Sequence, residues 1–239
     1  MNTKTLIIGG ASGIGYAVAR LLAERGGELI IAGRNAKKLE SARTSLSTKQ
    51  AVITTQMLDV SNESEVFELS KILGSVNHIV FTAGSQAPGG PLLQIDLNAA
   101  RQAFDTKYWG SLHVARHLSQ NILPAGTLTL TSGFLARRPL AGTLVKSTMN
   151  AAIESAAKVL ARELSPLRVN VVSPGLTDTE AYSGMTQTAR EKMLQSAADN
   201  LPVKAYGRAE DIARGYLFVI DNVFVTGAVI DIEGGALVN

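Results

Sequence analysis

Seven short runs of apolar and β-branched residues recur along this chain of 239 residues, and helical patterns separate them. The runs are continuously apolar rather than alternating, which indicates strands of a parallel sheet that is buried on both faces. This feature predicts an α/β fold, a Rossmann-like doubly wound sheet of about seven strands in one domain over residues 1–239. The runs are residues 5–9, 28–34, 51–60, 76–84, 126–133, 167–175 and 227–235.

The helical patterns fill the intervals between these runs. Asn62 and an acidic first turn predict a helix over residues 62–73. Longer helices are predicted over about 98–121 and 143–164, and a lid-like helical stretch is predicted up to about residue 200. No linker, repeat or low-complexity segment interrupts this order.

A glycine-rich loop joins the first strand to the first helix and contains Gly9, Gly13 and Gly15. Glycine permits a sharp turn and the close approach of a pyrophosphate, and the helix start offers free N–H groups and a positive dipole end. Because a strand precedes the loop and a helix follows it, the loop predicts a dinucleotide site. A tight turn with packing glycines is the alternative.

Composition narrows the function classes. The chain has no cysteine, which excludes disulfides, thiolate metal sites and a cysteine nucleophile. A net charge of +3 without a basic run argues against nucleic acid, and no apolar segment approaches the ~18 residues of a membrane span. We expect a cytoplasmic protein with a small-molecule substrate.

These motifs together resemble the short-chain dehydrogenase/reductase family along essentially the whole chain. Residues 8–15 are similar to the family's Thr-Gly-x-x-x-Gly-x-Gly, with Ile8 for the Thr, and residues 82–84 are similar to its Asn-Ala-Gly, with Thr82 for the Asn. Residues 173–179 resemble the Pro-Gly stretch that meets the nicotinamide carboxamide. Residues 225–235 resemble the C-terminal Thr-Gly…Asp-Gly-Gly, with Glu233 for the Asp.

The resemblance implies a cofactor site at the carboxyl ends of the strands, with Asp59 beside the adenine ring. The implied residues are Gly9, Ser12, Gly13, Ile14, Gly15, Gly33, Arg34, Asp59, Val60, Thr82, Ala83, Gly84, Lys107, Asn150, Pro174, Gly175, Thr177 and Thr179.

The end of the second strand favours NADP(H). NAD-preferring relatives carry an acidic residue here, whereas this chain has Gly33 followed by Arg34. A carboxylate would repel a 2′-phosphate, and a guanidinium can bind it through paired charge-assisted bonds. The alternative is that Arg34 is only a solvated residue at a helix start.

The helix over 143–164 should carry the family's Tyr-x-x-x-Lys pair, yet it contains no tyrosine. Ser132 resembles the catalytic Ser. Gly142 follows it too closely to be the tyrosine position, whereas Lys146 is at nearly the family spacing. Counting back from residues 158–164 also places Lys146 at the Tyr position and Asn150 at the Lys position.

Lys107 occupies the family's Asn position, and Asn150 occupies its Lys position. The two residue types have therefore exchanged positions. Lys146 and Asn150 are four residues apart and share one helix face. The resemblance implies a catalytic set of Ser132, Lys146, Lys107 and Asn150. Lys146 is one candidate proton donor, because burial and a second cation would lower its pKa toward neutrality. Alternatively, Lys107 is the proton donor or an electrostatic stabiliser. A third possibility is that the pocket binds the cofactor and catalyses no reaction.

Other residues carry weaker signals. Tyr182 could replace the missing phenol, and Arg137 with Arg138 would suit an anionic substrate or be merely solvated. His113 and His117 share a helix face, but no metal motif accompanies them, so no metal is predicted. The two long helices are the family's usual contact surfaces, which implies a homo-oligomer, a dimer or a tetramer.

The first functional hypothesis is an NADP(H)-dependent oxidoreductase that moves hydride between the nicotinamide and a carbonyl or alcohol, with lysine as proton donor. The second is an NADP(H)-binding protein without redox activity. The third is non-redox lysine chemistry, such as lyase or isomerase action, in the same pocket.

Overall fold

The computed structural model of the protein describes residues 3–47, 50–84 and 87–238. Its main sheet has seven strands in the order β3-β2-β1-β4-β5-β6-β9, and all neighbouring pairs are parallel. Two further strands, β7 and β8, pair with each other alone. The strands are β1 Lys4–Ile8, β2 Gly27–Gly33, β3 Ala51–Met57, β4 Val76–Phe81, β5 Ile122–Thr131, β6 Arg168–Pro174, β7 Thr177–Asp178, β8 Gly207–Arg208 and β9 Val229–Ile232.

Helices connect the strands and cover the sheet, as the alternation of runs predicts. They are α1 Gly13–Arg25, α2 Ala36–Leu46, α3 Glu63–Ile72, α4 Leu97–Phe104, α5 Gly110–Leu118, α6 Leu144–Glu163, α7 Gln187–Asn200 and α8 Ala209–Asp221. In the part of the chain that the structure describes, no helix is both long enough and apolar enough to cross a bilayer.

The core has two halves, one on each face of the sheet. Successive side chains of a strand point to opposite faces. Leu6 and Ile8 of β1 therefore join one cluster with Ile153 of α6, whereas Ile7 joins the other with Tyr216 of α8. Continuous apolar strands are needed for this double burial, so the predicted doubly wound α/β sheet is confirmed.

The strand order creates a crevice at the carboxyl end of β1. The chain runs outward from β1 to β3 and then returns to β4 on the other side of β1. The connections after β1 and β4 consequently diverge, which is the switch point where doubly wound folds bind ligands.

The predicted helix over 98–121 is interrupted by one turn of π-helix at Asp105–Trp109. Helix α5 then begins at Gly110, where a Cβ would lie 2.7 Å from Val60 Cγ2. The helix can approach the end of β3 this closely only because the residue is glycine. Single π-turns inside helices are frequent at functional sites, and this one contains Lys107.

Strand β5 also begins earlier than the predicted residue 126. Its pairing with β4 shifts between Val76 and His78, and Ala125 has a positive φ of 67°. This irregularity adds residues ahead of the apolar run, which is why the run alone marks only the later part of the strand.

Replacing Gly15 by alanine tests the packing of the glycine loop. The new Cβ would lie 2.3 Å from the Gly9 carbonyl oxygen and 2.4 Å from Thr82 Oγ1, so backbone must move. We expect Gly15→Ala to lower the free energy of unfolding by about 1–3 kcal/mol in denaturant titrations. Gly184→Ala is the matched control, because nothing lies within 4 Å of its Cβ. Equal stability of the two variants would contradict the account.

Candidate active site

The glycine loop is held against the end of β4. Gly9 and Gly13 have positive φ values of 88° and 53°, which side-chain-bearing residues rarely adopt. The Thr82 hydroxyl donates to the Ile8 carbonyl at 2.9 Å, so this side chain secures the loop. Gly15 packs directly on Gly9 and Thr82. A Cβ at Gly9 or Gly15 would collide with Thr82 or with the loop backbone, so glycine lets the loop close tightly beneath the start of α1. Gly13 leaves the N-terminus of α1 without a side chain, and this arrangement fits the pyrophosphate of a dinucleotide.

The start of α1 already binds an anionic oxygen. The Gly13 N–H donates to the Glu180 carboxylate at 2.8 Å. Glu180 lies in a short 3₁₀ turn, Glu180–Tyr182, that is capped by the Thr179 hydroxyl. Free N–H groups and the helix dipole favour negative charge at this position. The contact places a carboxylate where the sequence predicts an anion, although the sequence did not single out Glu180.

The far end of the crevice carries Arg34 and Asp59. Arg34 is 58% exposed, and one of its guanidinium nitrogens lies 4.0 Å from an Asp59 carboxylate oxygen. Burial opposes ionisation of Asp59, but hydrogen bonds from Ser61 and the Arg34 charge outweigh it and lower the pKa of this carboxyl. Gly33 leaves the neighbouring surface without a side chain, and the buried Val60 can offer only its backbone.

Lys107 is the central cation of the site. Its ammonium donates to the Ser132 carbonyl at 2.9 Å and to Asn150 Oδ1 at 2.6 Å. Its side chain also passes Gly84, whose Cβ position lies 4.0 Å from Lys107 Cδ. The π-turn, the ends of β4 and β5 and the helix α6 therefore converge on one charged group.

Asn150 fits into this cluster because its neighbour is glycine. A Cβ on Gly133 would lie only 2.8 Å from Asn150 Nδ2, so any larger residue would displace the amide. Asn150 is 6% exposed. Its amide oxygen accepts the hydrogen bond from Lys107. Its amide nitrogen can donate a hydrogen bond, but the group carries no charge.

The two candidate lysines differ in environment. Burial and the nearby Lys146 charge lower the pKa of Lys107 from 10.5 to about 8. Lys146, in the first turn of α6, is exposed. Lys107 is thus the lysine that the fold holds in place and whose pKa it moves toward neutrality.

Ser132 and Arg137 belong to an ionic network that runs from the buried Glu154 to the surface and that the sequence did not reveal. The Ser132 hydroxyl donates to Glu154 Oε1 at 2.8 Å, and Arg137 Nε lies 3.1 Å from Glu154 Oε2. Arg137 also pairs with Asp231. Arg138 donates to the Ala236 carbonyl. Both guanidinium groups therefore bind other groups of the protein, and neither arginine is only a solvated side chain.

Residues 174–179 form the opposite wall. The Gly175 N–H donates to the Ile232 carbonyl at 2.9 Å, and a Cβ there would lie 2.7 Å from Glu233 Cα. The Thr177 hydroxyl is bound to the Gly175 carbonyl at 3.0 Å. The neighbouring Tyr182 is half-buried, and burial and Asp178 raise the pKa of its phenol.

The histidines have structural partners. His113 Nδ1 lies 2.9 Å from the Val60 carbonyl and His117 Nε2 lies 2.8 Å from Glu63. His78 contacts the Thr127 hydroxyl, and burial lowers the pKa of His78 to about 4.

Within residues 3–47, 50–84 and 87–238, no group of three His, Cys, Asp or Glu side chains could hold a metal.

Three features escaped the sequence interpretation: the π-turn around Lys107, the contact of Glu180 with α1, and Glu154. Only Glu154 left a usable signal. It lies four residues after Asn150 and eight after Lys146. Like the apolar Ile153 and Ala157, it belongs to the buried side of α6. An acidic residue on an otherwise buried face indicates a specific partner.

The parallel sheet and the glycine loop at its switch point define a dinucleotide-binding α/β protein. A family profile described as Enoyl-(Acyl carrier protein) reductase matches residues 9–236. The Short-chain dehydrogenase/reductase malC of Malbranchea aurantiaca is 32% identical to this chain, over 98% of the chain and 94% of the relative. The chain belongs to the short-chain dehydrogenase/reductase family.

Solved structures agree with this assignment. A small-chain dehydrogenase in complex with NADPH is 40% identical, covers 100% of both chains and has a TM-score of 0.85. The MalC Reductase/Diels-Alderase from Malbranchea aurantiaca is 30% identical over 100% of this chain and 97% of its own, with a TM-score of 0.92.

Replacing Lys146 tests the coupling of the two lysines. Because the Lys146 charge contributes to the lowered pKa of Lys107, Lys146→Met should raise that pKa above about 8. An NMR titration of ¹³C-labelled lysine side chains measures the change. Lys158→Met, which removes an exposed charge farther along α6, is the control and should leave the Lys107 pKa in place. An unshifted titration in Lys146→Met would show that the ammonium groups do not interact.

Proposed function

We propose that this protein is an NADP(H)-dependent oxidoreductase that transfers hydride between the nicotinamide and a carbonyl or alcohol, with Lys107 as the proton donor. One observation carries the proposal. The Lys107 ammonium is fixed between the Ser132 carbonyl and the Asn150 amide, and its pKa is lowered to about 8. A general acid works best when its pKa is close to the operating pH.

The proposed cofactor site follows the crevice from the glycine loop to the opposite wall. The start of α1 at Gly13 would hold the pyrophosphate, with Gly9 and Gly15 packing the loop beneath it, and Arg34 would face the 2′-phosphate. When bound, NADPH supplies the hydride. The similar structure of a small-chain dehydrogenase with NADPH supports this assignment. Glu180 must release the Gly13 N–H to admit a phosphate oxygen.

Lys107 has the hydrogen-bond capacity for the proposed role. An ammonium has three N–H groups, and two of them are held by Ser132 and Asn150. The third can donate to a substrate oxygen. In reduction, hydride goes to the carbonyl carbon and the Lys107 proton goes to the oxygen, which leaves a neutral amine. The exposed Lys146 borders the route by which solvent returns the proton.

Asn150 and Lys146 have supporting roles in this proposal. Asn150 takes the place of the family's lysine and holds Lys107, so the positive charge reaches the site from the π-turn instead of from α6. Lys146 stands at the tyrosine position, and its exposure favours a role at the mouth of the cleft. The Tyr-x-x-x-Lys pair is, in this interpretation, replaced by a lysine and an amide.

Assembly into a homo-oligomer is part of the proposal. Exposed large apolar side chains lie on the helices that the family uses for subunit contacts. They include Leu97, Trp109, Leu144 and Val159. A dimer or tetramer would bury them.

The central test is turnover by the Lys107→Met variant. Purified wild-type protein should oxidise NADPH in the presence of one or more small ketones or aldehydes. Loss of a general acid costs about 10²–10⁴-fold, so Lys107→Met should lower kcat/KM by at least about 10²-fold while NADPH still binds. The control Lys158→Met should match the wild type. A fully active Lys107→Met variant would remove Lys107 from the chemistry.

Replacing Arg34 tests the choice of cofactor. Hydrogen bonds to a charged group contribute about 1.5–3 kcal/mol. Arg34→Ala should therefore weaken NADPH binding by about 10–100-fold and leave NADH binding unchanged, as measured by cofactor fluorescence. Arg43→Ala, which removes a guanidinium paired with Glu40 on α2, is the matched control. Parallel losses for both cofactors would contradict 2′-phosphate recognition.

A second candidate is non-redox chemistry in the same cleft. The similar MalC protein is described as both a reductase and a Diels-Alderase, so a closely similar fold carries a second kind of reaction. In this chain, the lowered pKa of Lys107 would also suit an imine. NADPH binding without oxidation across the carbonyl panel, together with a borohydride-trapped adduct on Lys107, would favour this candidate.

A further inference from the structure

A buried carboxylate lies behind the candidate catalytic residues. Glu154 follows Lys146 and Asn150 on the same face of α6, and it is only 7% exposed. Its Oε1 accepts the Ser132 hydroxyl at 2.8 Å. Glu154 has no part in the roles assigned above, yet it contacts one of the residues in the cleft wall.

Arg137 fixes the orientation of this carboxylate. Its Nε lies 3.1 Å from Glu154 Oε2, and its terminal nitrogens contact Asp231 Oδ2 at 2.7 Å and Ser173 Oγ at 3.3 Å. Both oxygens of Glu154 are consequently held, one by a cation and one by Ser132. Burying a carboxylate is costly unless such partners satisfy it.

This arrangement determines which way the Ser132 hydroxyl faces. A serine hydroxyl has one proton and two lone pairs. An ion-paired carboxylate accepts hydrogen bonds and donates none, so the Ser132 proton points toward Glu154. Toward a group in the cleft, the Ser132 hydroxyl can therefore offer only its lone pairs, as a hydrogen-bond acceptor.

We propose that Glu154 is a positioning residue that makes Ser132 a hydrogen-bond acceptor toward the substrate, so that the site favours the alcohol over the carbonyl. An alcohol hydroxyl can donate to Ser132, whereas a carbonyl oxygen cannot. This inference rests on the proposed function, since it concerns the substrate pair of that reaction.

Replacing Glu154 by glutamine would reverse the hydrogen bond at nearly constant volume. The amide has one oxygen and one NH₂ group, so it cannot accept from both Arg137 and Ser132. With its oxygen on Arg137, the glutamine NH₂ donates to Ser132. The Ser132 proton then becomes available to a carbonyl in the cleft.

The test compares binding of cyclohexanol and cyclohexanone, which share one skeleton and differ in the donor. Dead-end complexes avoid turnover: cyclohexanol is titrated into protein with NADPH, and cyclohexanone into protein with NADP⁺, by NMR. Glu154→Gln should shift the ratio of the two dissociation constants about tenfold toward the ketone. The exposed Glu163→Gln on α6 is the control and should leave the ratio unchanged.

A double-mutant cycle separates positioning from structural damage. In the Ser132→Ala background, Glu154→Gln should no longer shift the ratio, because its effect passes through the serine hydroxyl. An equal shift with and without Ser132, or no shift in Glu154→Gln, would overturn the proposal. Where Glu154→Gln does not fold, Glu154→Asp, which withdraws the carboxylate from Ser132, is measured in the same way.

A turnover-independent measurement distinguishes this proposal from the proposed function. A hydroxyl proton that donates to a buried carboxylate exchanges slowly and gives an NMR signal, which Ser132→Ala and Glu154→Gln should both remove. Its absence in the wild type would overturn the assignment of Ser132 as an acceptor. Its presence in a protein without NADPH turnover would contradict only the proposed function.

Discussion

The candidate site depends on one buried interaction, the pair of hydrogen bonds from the Lys107 ammonium to the Ser132 carbonyl and to Asn150 Oδ1. A partly buried cation needs acceptors, because removal from water penalises the charged form. Two acceptors satisfy it here, while burial and Lys146 still lower its pKa to about 8. The two contacts hold the side chain in place, and burial together with the Lys146 charge prepares it to release a proton near neutral pH.

The fold supplies this interaction from separate elements. The π-turn carries Lys107 inward, β5 presents the Ser132 carbonyl, and α6 presents Asn150 beside Gly133. Close packing at Gly15 and Gly110 brings the glycine loop and α5 against the ends of the neighbouring strands. In the proposed function, these elements bring the Lys107 ammonium and the nicotinamide to the same end of the sheet. The ion pair of the buried Glu154 with the partly exposed Arg137 adds a second layer behind that surface.

Much of the fold was predictable because it follows from local patterns. Continuous apolar runs and helical spacing predicted the doubly wound sheet, and the context of Gly9, Gly13 and Gly15 predicted the loop at its switch point. The π-turn was not predictable, since its hydrogen bonds span only one residue more than those of an ordinary α-helix and the side-chain pattern on either side is helical. The Glu154 and Glu180 contacts join residues far apart in the chain, and no spacing rule brings such pairs together. The assignment of Lys107 and Asn150 to the catalytic set came from register, and their mutual contact supports that proposal.

The most direct measurement of the central claim is the pH dependence of kcat/KM in both directions of the reaction. If Lys107 gives and takes the proton, carbonyl reduction should fall as the pH rises through the Lys107 pKa of about 8, because the acid is lost. Alcohol oxidation should rise over the same interval, because the neutral amine becomes available. Profiles that are flat through this interval in both directions would contradict the account.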